Sequence, residues 1–383
     1  MQALNAVIYA AQKEAQAKNL ELFGFIKGWE GLLENKFIDL SKQCIEPNIG
    51  GTFLKSSRIN IDKAENGINR ALANLEKLGL SGLIVVGGED TLSNCFRLLS
   101  LPQILISKTI DNDVGIIKEA FNGKDFVPEN VTNFFTLGFP TAAEKIISFV
   151  SLNEGLRTTA YSHERIIIVE SMGMHAGWLA LSSALGHPDF IIIPEFPLDY
   201  ESFLEKLINS YLHQRHLIVV VAEGARWSDG SYIYAQKDEI EEFEHPRFGG
   251  ASNVLKMRLK KDLAKYFNPR NINAVNPSYL YRAGAPNRID KHWGCELGKK
   301  AVELLAEGIK ESRLLAIQWE KGKFFIKDLL LSQFRSMNEL HRLVDARLYD
   351  KEAFSVTDLA KKYFKTILKE IPLDKSYGIR NSF

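Results

Sequence analysis

Cysteine and long apolar runs are both scarce in this sequence of 383 residues. The three cysteines, Cys44, Cys95 and Cys295, lie too far apart for a disulfide framework or a zinc site, and free thiols are typical of a reducing compartment. No apolar run approaches the roughly 20 residues of a spanning helix, and the N-terminus has no basic stretch followed by an apolar one. We therefore expect a cytoplasmic protein without a membrane segment or a secretory signal.

A net charge of one sign is also missing. The sequence has 48 Lys plus Arg against 47 Asp plus Glu, a net charge of +1, so no field favours nucleic acid or an anionic membrane as a partner. The apolar share of 45% and the charged share of 25% are typical of a folded globular protein. At roughly 100–200 residues per domain, the length indicates about two domains.

Short apolar runs alternate with longer amphipathic segments, which predicts an α/β fold with mainly parallel sheets. The predicted strands are Gly82–Val86, Gln103–Ile106, Arg165–Val169, Phe190–Ile193 and His216–Ala222. The predicted helices include Asp62–Leu78, His175–Leu185, Tyr200–Leu212 and Asn253–Tyr266. A polar or glycine-rich cluster follows each strand, at residues 87–91, 107–113, 170–174, 194–195 and 223–224. Because ligands bind beyond the carboxyl ends of parallel strands, we expect these five clusters to line one cleft.

The cluster after the first of these strands combines glycine with acid. Gly87 and Gly88 allow a phosphate to approach the backbone, and we expect a helix from about Thr91 to direct N–H groups towards it. Glu89 and Asp90 would repel a bare phosphate, but carboxylate oxygens suit a magnesium ion placed between protein and phosphate. Glu89 is therefore the predicted metal ligand, although a tight turn before a helix is the plainer interpretation of the glycine pair alone.

The segment Lys108–Asp113 holds the residue types that phosphoryl transfer to an alcohol requires. An aspartate can take the hydroxyl proton, the ammonium of Lys108 can neutralise the moving phosphoryl group, and a second carboxylate can bind metal or substrate. An Asx-rich turn beside a solvated lysine is the structural alternative. Arginines near the ends of two other segments, Arg165 and Arg282, suit bidentate capture of a sugar phosphate, and each is equally compatible with a surface ion pair.

These segments together resemble the A-type phosphofructokinases over nearly the whole chain. The matching motifs are Leu4–Ile8, Gly28–Leu32, Gly50–Thr52 with Arg58, Gly87–Thr91, Lys108–Asp113, Leu137–Ala142, Ser162–Arg165, Met172-Gly173, Gly177-Trp178, Glu223-Gly224 and Pro277–Asp290. The resemblance implies two α/β domains with the active site in the interdomain cleft. Residues 1–135 with 285–335 would bind the phosphoryl donor, and residues 136–284 with 336–383 the sugar phosphate.

The resemblance also implies roles for individual residues in transfer to O1 of fructose 6-phosphate. Asp111 would be the general base, assisted by Lys108 and Thr109, while Glu89 would hold Mg²⁺. The implied donor contacts are Arg58, Gly88, Asp90 and Thr91, and the implied sugar-phosphate contacts are Asp113, Arg165, Met172, Gly173, Met174, Glu223, Tyr279 and Arg282. In the family an arginine equivalent to Arg165 comes from a neighbouring subunit, so we expect a homodimer or homotetramer.

Two positions bear on the phosphoryl donor. The family's ATP-dependent members usually have glycine at the places of Asp90 and Lys108, whereas its pyrophosphate-dependent members have Asp and Lys, as this sequence does. The carboxylate of Asp90 adds bulk and negative charge where the α-phosphate of ATP would lie. The ammonium of Lys108 would aid departure of orthophosphate. Pyrophosphate is therefore the expected donor, in a reaction that runs in both directions.

Three features depart from the family pattern. A strand and a glycine-rich phosphate loop usually precede the Leu4–Ile8 motif, where this sequence has three residues, so we expect an upstream start or a compromised donor site. Met174 replaces a usual arginine, and Asn273 falls where a cationic residue is common. Two alternatives therefore stay open: an ATP-dependent enzyme of the same family, and a catalytically silent regulatory subunit.

Overall fold

The computed structural model describes residues 2–123, 125–152, 154–234, 236–240, 246–247 and 249–372, with the backbone alone at 236–240, 246–247 and 269. The chain divides into two compact units. Unit 1 contains the chain up to Ala120, Val127–Thr141 and Arg282–Arg342. Unit 2 contains Phe121–Phe126, Ala142–Tyr281 and the chain from Leu343 onward.

The described elements alternate between strands and helices, as expected for an α/β protein. The strands are β1 Phe23–Phe25, β2 Phe37–Asp39, β3 Leu83–Gly87, β4 Gln103–Thr109, β5 Phe121–Asn122, β6 Asp125–Phe126, β7 Leu137–Gly138, β8 Ile166–Ser171, β9 Phe190–Ile192, β10 Leu217–Ala222, β11 Gln236–Ile240, β12 Pro246–Arg247, β13 Ile272–Val275, β14 Arg313–Glu320, β15 Lys323–Leu330, β16 Tyr349–Asp350 and β17 Ser355–Val356. The α-helices are α1 Leu4–Ala17, α2 Trp29–Leu33, α3 Gly67–Leu78, α4 Glu89–Ser93, α5 Phe139–Val150, α6 Arg157–Ser162, α7 Trp178–Ser182, α8 Tyr200–Gln214, α9 Ala251–Leu263, α10 Arg288–Ala306 and α11 Asp358–Ile367.

The principal sheet of unit 1 has the strand order β15-β14-β4-β3. Strand β7 pairs with the last two residues of β4, Lys108 and Thr109, which follow the part of β4 that pairs with β3. Strands β3, β4, β7 and β14 run parallel, and β15 returns antiparallel to β14. Strand β4 is buried along most of its length, which is typical of a central parallel strand covered on both faces. Helix α1 packs on α10, where a Cβ at Gly298 would lie 2.3 Å from the carbonyl oxygen of Val7.

The principal sheet of unit 2 has the order β13-β8-β10-β9, and all its pairings are parallel. Strands β8 and β10 are buried at every position because both have a neighbour on each side and apolar side chains on both faces. Helices α8 and α9 contribute Phe203, Leu207, Leu255 and Leu259 to the same apolar core.

The five predicted strands are confirmed as elements, but they do not share one sheet. Strands β3 and β4 lie in unit 1, whereas β8, β9 and β10 lie in unit 2. The reason is that β4 pairs with β14, which comes from residues 313–320, far along the chain. The polar clusters therefore form two groups, each at the carboxyl ends of the strands of its own sheet.

The boundaries between the units differ from the predicted domain boundaries. Unit 1 includes residues up to Thr141 rather than ending at residue 135. The buried carboxylate of Asp290 holds this stretch, because it accepts hydrogen bonds from the backbone N–H groups of Gly138, at 2.6 Å, and Thr141, at 2.9 Å. Residues 336–342 belong to unit 1 because Arg342 is buried against it. The assignment of the donor to one domain and the sugar phosphate to the other stays a prediction.

None of the described helices combines the length and the apolar composition that a bilayer-crossing segment requires.

Candidate active site

The turn after β3 is built around a close contact between Gly87 and Thr91. A Cβ at Gly87 would lie 2.5 Å from the Cβ of Thr91, so only glycine fits there. Helix α4 begins at Glu89, two residues before the predicted start, and places Glu89 and Asp90 in its first turn. The indole N–H of Trp29 donates to the carbonyl of Thr91 at 3.1 Å and fixes the end of this turn. Glu89 is half-buried, whereas Asp90 is exposed.

The adjacent strand β4 ends at Lys108 and Thr109, beyond its predicted end at Ile106. Gly88 lies beside these two residues, since its Cβ would be 3.9 Å from the carbonyl oxygen of Lys108 and from the Cβ of Thr109. Lys108 is 9% exposed. Burial and, to a lesser extent, the positive charge of Arg282 lower the pKa of its ammonium group to about 8, although the carboxylates of Asp290 and Asp111 act in the opposite direction.

Thr109 holds Asp111 in place. The backbone N–H of Asp111 donates to the hydroxyl of Thr109 at 3.1 Å, and that hydroxyl lies 3.5 Å from the Oδ2 atom of the carboxylate. The hydroxyl of Thr136 donates to the carbonyl of Thr109 at 2.7 Å. Lys108, Thr109 and Asp111, which the sequence predicts as the catalytic group, therefore lie on one short segment at the end of a buried strand.

A third group in unit 1 brings together Glu89, Asp113 and His341. The Nδ1 atom of His341 is 2.8 Å from Oε2 of Glu89, and one ligand atom from each of the three residues lies within 4.8 Å of the others. Burial and the neighbouring carboxylate of Asp111 raise the pKa of Asp113. Its Oδ1 atom is buried and has no hydrogen-bond partner among the described residues. Two carboxylates, one with an unsatisfied oxygen, fit a divalent cation.

The other predicted donor and sugar-phosphate residues of unit 1 are Arg58 and Arg282. Arg58 is exposed on the segment between β2 and α3. Arg282 is half-buried and is near enough to Lys108 for its charge to act on that ammonium group.

In unit 2, the predicted residues at the ends of β8 and β10 contact one another. The backbone N–H of Gly173 donates to Oε1 of Glu223 at 3.1 Å, and the N–H of Gly224 donates to the carbonyl of Gly173 at 3.2 Å. Gly173 has φ of +128°, a conformation that favours glycine. A Cβ at Gly224 would lie 1.9 Å from the carbonyl oxygen of Met174, so this approach also requires glycine. Met172 is 8% exposed.

Arg165 lies at the opposite end of β8 from this group. It directly precedes the strand, and its guanidinium donates to the hydroxyl of Thr159 at 3.2 Å. The six residues of β8 lie between Arg165 and Met172, and seven steps of about 3.3 Å separate the two by roughly 23 Å. Tyr279, in contrast, follows β13, the neighbour of β8, and is 63% exposed. Within one chain, Arg165 is therefore not part of the group that Glu223, Gly173 and Met174 form.

Sequence reasoning missed His341 and Arg342. Arg342 is 2% exposed, and its guanidinium donates to the backbone carbonyl of Asn112 and to that of Asn133. The side chain of His341 lies near Asp113 and that of Arg342 contacts Asn112, each from more than two hundred positions away. No local pattern marks these two residues, because their significance arises only when the distant segments pair.

Carboxylates and a buried lysine at the ends of adjacent parallel strands are typical of α/β enzymes that transfer phosphoryl groups. The chain belongs to the phosphofructokinase family, since the family model described as Phosphofructokinase matches residues 1–125 and 127–305.

Similar proteins include enzymes named for two different donors. The chain is 38% identical over 354 residues to a pyrophosphate–fructose 6-phosphate 1-phosphotransferase of Dictyoglomus thermophilum, which covers 91% of this chain and 93% of that relative. It is 34% identical over 313 residues to ATP-dependent 6-phosphofructokinase 3 of Streptomyces coelicolor, covering 80% and 84% of the two chains.

The fold is similar to that of a solved structure. The crystal structure of a pyrophosphate-dependent phosphofructokinase from Marinobacter aquaeolei superimposes with a TM-score of 0.75 at 18% sequence identity, covering 97% of this chain and 91% of the other. At this level of identity the likeness concerns the fold alone.

Proposed function

We propose that this chain is a phosphofructokinase that transfers a phosphoryl group from inorganic pyrophosphate to O1 of fructose 6-phosphate, giving fructose 1,6-bisphosphate and orthophosphate. The observation that carries the proposal is the buried ammonium of Lys108, which lies three positions before Asp111 on the segment that ends β4, where Thr109 holds Asp111 through a hydrogen bond. A base for the acceptor hydroxyl and a cation for the donor are thereby held on one rigid segment.

In the proposed reaction, Asp111 takes the proton of the O1 hydroxyl as that oxygen bonds to phosphorus. The bridging P–O bond of pyrophosphate breaks, and its electron pair leaves with orthophosphate. Lys108 neutralises charge on the leaving phosphate. In reverse, the protonated Asp111 returns its proton to O1, so the same residues serve both directions.

Glu89 and Asp113 would hold the divalent cation, which neutralises charge on the transferring phosphoryl group when it is bound. The donor set is compatible with Mg²⁺ because both residues offer carboxylate oxygens. The unsatisfied Oδ1 atom of Asp113 and the raised pKa of this carboxyl support the assignment, since both indicate a site where a positive charge is needed.

The choice of pyrophosphate rests on Asp90 and Lys108. Similarity to the relatives does not separate the donors, because pyrophosphate- and ATP-dependent enzymes are similar to this chain at 38% and 34% identity. The exposed carboxylate of Asp90 extends from the first turn of α4, beside the predicted phosphate turn, where it adds negative charge against a longer polyphosphate chain.

For the acceptor, we propose that Gly173, Met174, Glu223 and Tyr279 bind the sugar phosphate with Arg282. Arg165 lies at the opposite end of β8 and would act on the site of a neighbouring subunit, which supports a homodimer or homotetramer. The location of the site between the two domains stays a prediction.

The decisive experiment measures fructose 1,6-bisphosphate formation with pyrophosphate and with ATP supplied separately. We expect turnover with pyrophosphate and at least a hundredfold lower kcat/KM with ATP. The double variant Asp90→Gly/Lys108→Gly should lose most pyrophosphate activity, and the control Lys118→Gly/Glu119→Gly, which changes two exposed residues, should not. A preference for ATP contradicts the donor assignment, and failure with both donors favours the silent regulatory subunit.

A further inference from the structure

His341 is placed beside Glu89 and Asp113 by the backbone as well as by its own side chain. The backbone of His341 forms an antiparallel bridge with that of Val114. The N–H of Gly115 donates to the carbonyl of Leu340 at 2.7 Å, and the N–H of Arg342 donates to the carbonyl of Asp113 at 2.6 Å. The segments that carry Asp113 and His341 are therefore paired like neighbouring strands, so the main chain holds residue 341 beside the two carboxylates.

We propose that His341 supplies a nitrogen ligand to the divalent-cation site of Glu89 and Asp113, so that this site prefers transition ions such as Mn²⁺ and Co²⁺ to Mg²⁺. The inference rests on the proposed function in one respect, the role of Glu89 as a metal ligand. It goes beyond that function by naming a third ligand and the class of ion that it selects.

The separations between the donor atoms suit a small octahedral ion. Ligands about 2.1 Å from such an ion lie about 3 Å apart when adjacent and about 4.2 Å apart when opposite. The Nδ1 atom of His341 and Oε2 of Glu89 are 2.8 Å apart, and one ligand atom from each of the three residues lies within 4.8 Å of the others. Only small side-chain movements would bring the three residues onto one ion.

An ion pair between His341 and Glu89 does not account for the whole cluster. Such a pair would satisfy Glu89, but it would leave the buried Oδ1 atom of Asp113 without a hydrogen-bond partner among the described residues. An oxygen of this kind is costly to bury unless a cation or a donor faces it. A metal ion shared by the three residues supplies that missing charge.

The selectivity follows from the nitrogen. Mg²⁺ retains water and oxygen ligands, whereas imidazole binds first-row transition ions with affinities that rise from Mn²⁺ to Co²⁺ and beyond. Two carboxylates alone would already favour Mn²⁺ slightly over Mg²⁺. Replacing His341 should therefore reduce the preference for Mn²⁺ over Mg²⁺ to the slight preference that the two carboxylates give alone.

The first experiment uses the full unmodified chain with Mn²⁺ alone, without substrates, and pulsed electron paramagnetic resonance. We expect ¹⁴N modulation from a directly bound imidazole, and we expect protein labelled with ¹⁵N-histidine to replace it with a ¹⁵N signal. Because this test needs no variant, it does not depend on how any substitution folds. Bound Mn²⁺ without histidine coupling, or no Mn²⁺ binding at millimolar concentration, overturns the proposal.

A second experiment compares His341→Gln with His213→Gln, which changes an exposed histidine on α8. We expect His341→Gln to weaken Mn²⁺ and Co²⁺ binding at least tenfold and Mg²⁺ binding less than threefold, while His213→Gln changes neither. Equal weakening of all three ions contradicts a nitrogen ligand. Turnover with fructose 6-phosphate is measured separately, so a chain that binds Mn²⁺ through histidine without turnover retains this inference and contradicts the proposed function.

Discussion

The guanidinium of Arg342 donates three hydrogen bonds to Asn112. Its Nε and Nη2 atoms lie 2.9 and 2.8 Å from the backbone carbonyl oxygen of Asn112, and Nη2 also lies 2.6 Å from the side-chain oxygen. Asn112 is fully buried with φ of +55°, a left-handed conformation that asparagine tolerates better than most residues. Arg342 thus fixes the residue between Asp111 and Asp113, and with it the direction of both carboxylates.

Replacing Arg342 with Lys should therefore impair turnover more than substrate binding. Lysine keeps the charge but cannot reproduce the planar fork that reaches both oxygens of Asn112. We expect kcat to fall about ten- to hundredfold, because small misplacement of a catalytic group is costly, while KM for fructose 6-phosphate changes less than threefold. Steady-state kinetics in both substrates measures this separation.

The matched control is Arg347→Lys, whose guanidinium is 41% exposed beside Asp345. It should leave kcat unchanged. Thermal unfolding of both variants distinguishes positioning from instability: a lower Tm for Arg342→Lys with normal kcat below that Tm would contradict the positioning role.

Asp111→Asn should lower kcat by about two to four orders of magnitude, because an amide cannot accept the proton of the acceptor hydroxyl. Asparagine has nearly the same shape, and the backbone hydrogen bond from residue 111 to Thr109 does not depend on the carboxylate. Binding of fructose 6-phosphate, measured by calorimetry, should therefore persist. The control Asp125→Asn changes an exposed acid and should be fully active. Turnover by Asp111→Asn within tenfold of the parent chain would exclude Asp111 as the base.

The pKa of Lys108 predicts the alkaline limb of the pH profile. With the pKa lowered to about 8, kcat/KM for pyrophosphate should fall about tenfold per unit above that pH, since the free enzyme then loses the ammonium. Lys108→Arg retains its charge throughout the accessible range. The plateau of kcat/KM for Lys108→Arg should be lower than that of the parent chain, and the alkaline limb should move to higher pH. An unchanged limb would assign this titration to another group.

The same shift has a defined sign for stability. Between pH 8 and 10.5, the unfolded chain holds a proton on Lys108 that the folded chain has lost, so stability rises with pH through this window. The unfolding free energy of the parent chain minus that of Lys108→Met should rise by about 3 kcal/mol at most. Urea denaturation of both chains at pH 7.5 and 10 measures it, and a difference that decreases with pH contradicts the burial of the ammonium.

Much of the fold is local enough to be predicted from the sequence. The apolar run at Leu217–Ala222 indicates a buried strand because its residues are apolar at consecutive positions, and both neighbours of β10 are parallel strands. Element ends are less accessible. Helix α3 begins at Gly67 rather than Asp62, because Asn66 has a left-handed backbone with φ of +48° that interrupts the helical period.

The candidate site could be predicted only in part. Glu89 and Asp113 belong to short clusters after strands, and strand pairing between Gly87 and Ser107 brings these clusters together. His341 approaches Glu89 from 252 positions away, and no spacing rule connects them. Arg165 does not join the group around Glu223 for a different reason. It precedes β8 whereas Glu223 follows the parallel strand β10, so the two residues lie at opposite ends of the strands.

The close contact in unit 2 leads to the prediction that Gly224→Ala impairs the acceptor selectively. A Cβ 1.9 Å from the carbonyl oxygen of Met174 must displace the backbone there, and the 3.1 Å hydrogen bond from Gly173 to Glu223 would be lost with it. We expect KM for fructose 6-phosphate to rise at least tenfold and KM for pyrophosphate to change less than twofold, because the proposed donor residues lie in unit 1. Overpacking should also cost about 1–3 kcal/mol of stability.

The control is Gly322→Ala in the turn between β14 and β15, where φ of +84° makes alanine destabilising without any contact with the site. Equal rises in both KM values, or a normal KM for fructose 6-phosphate in Gly224→Ala, would remove residues 172–174 from the acceptor site.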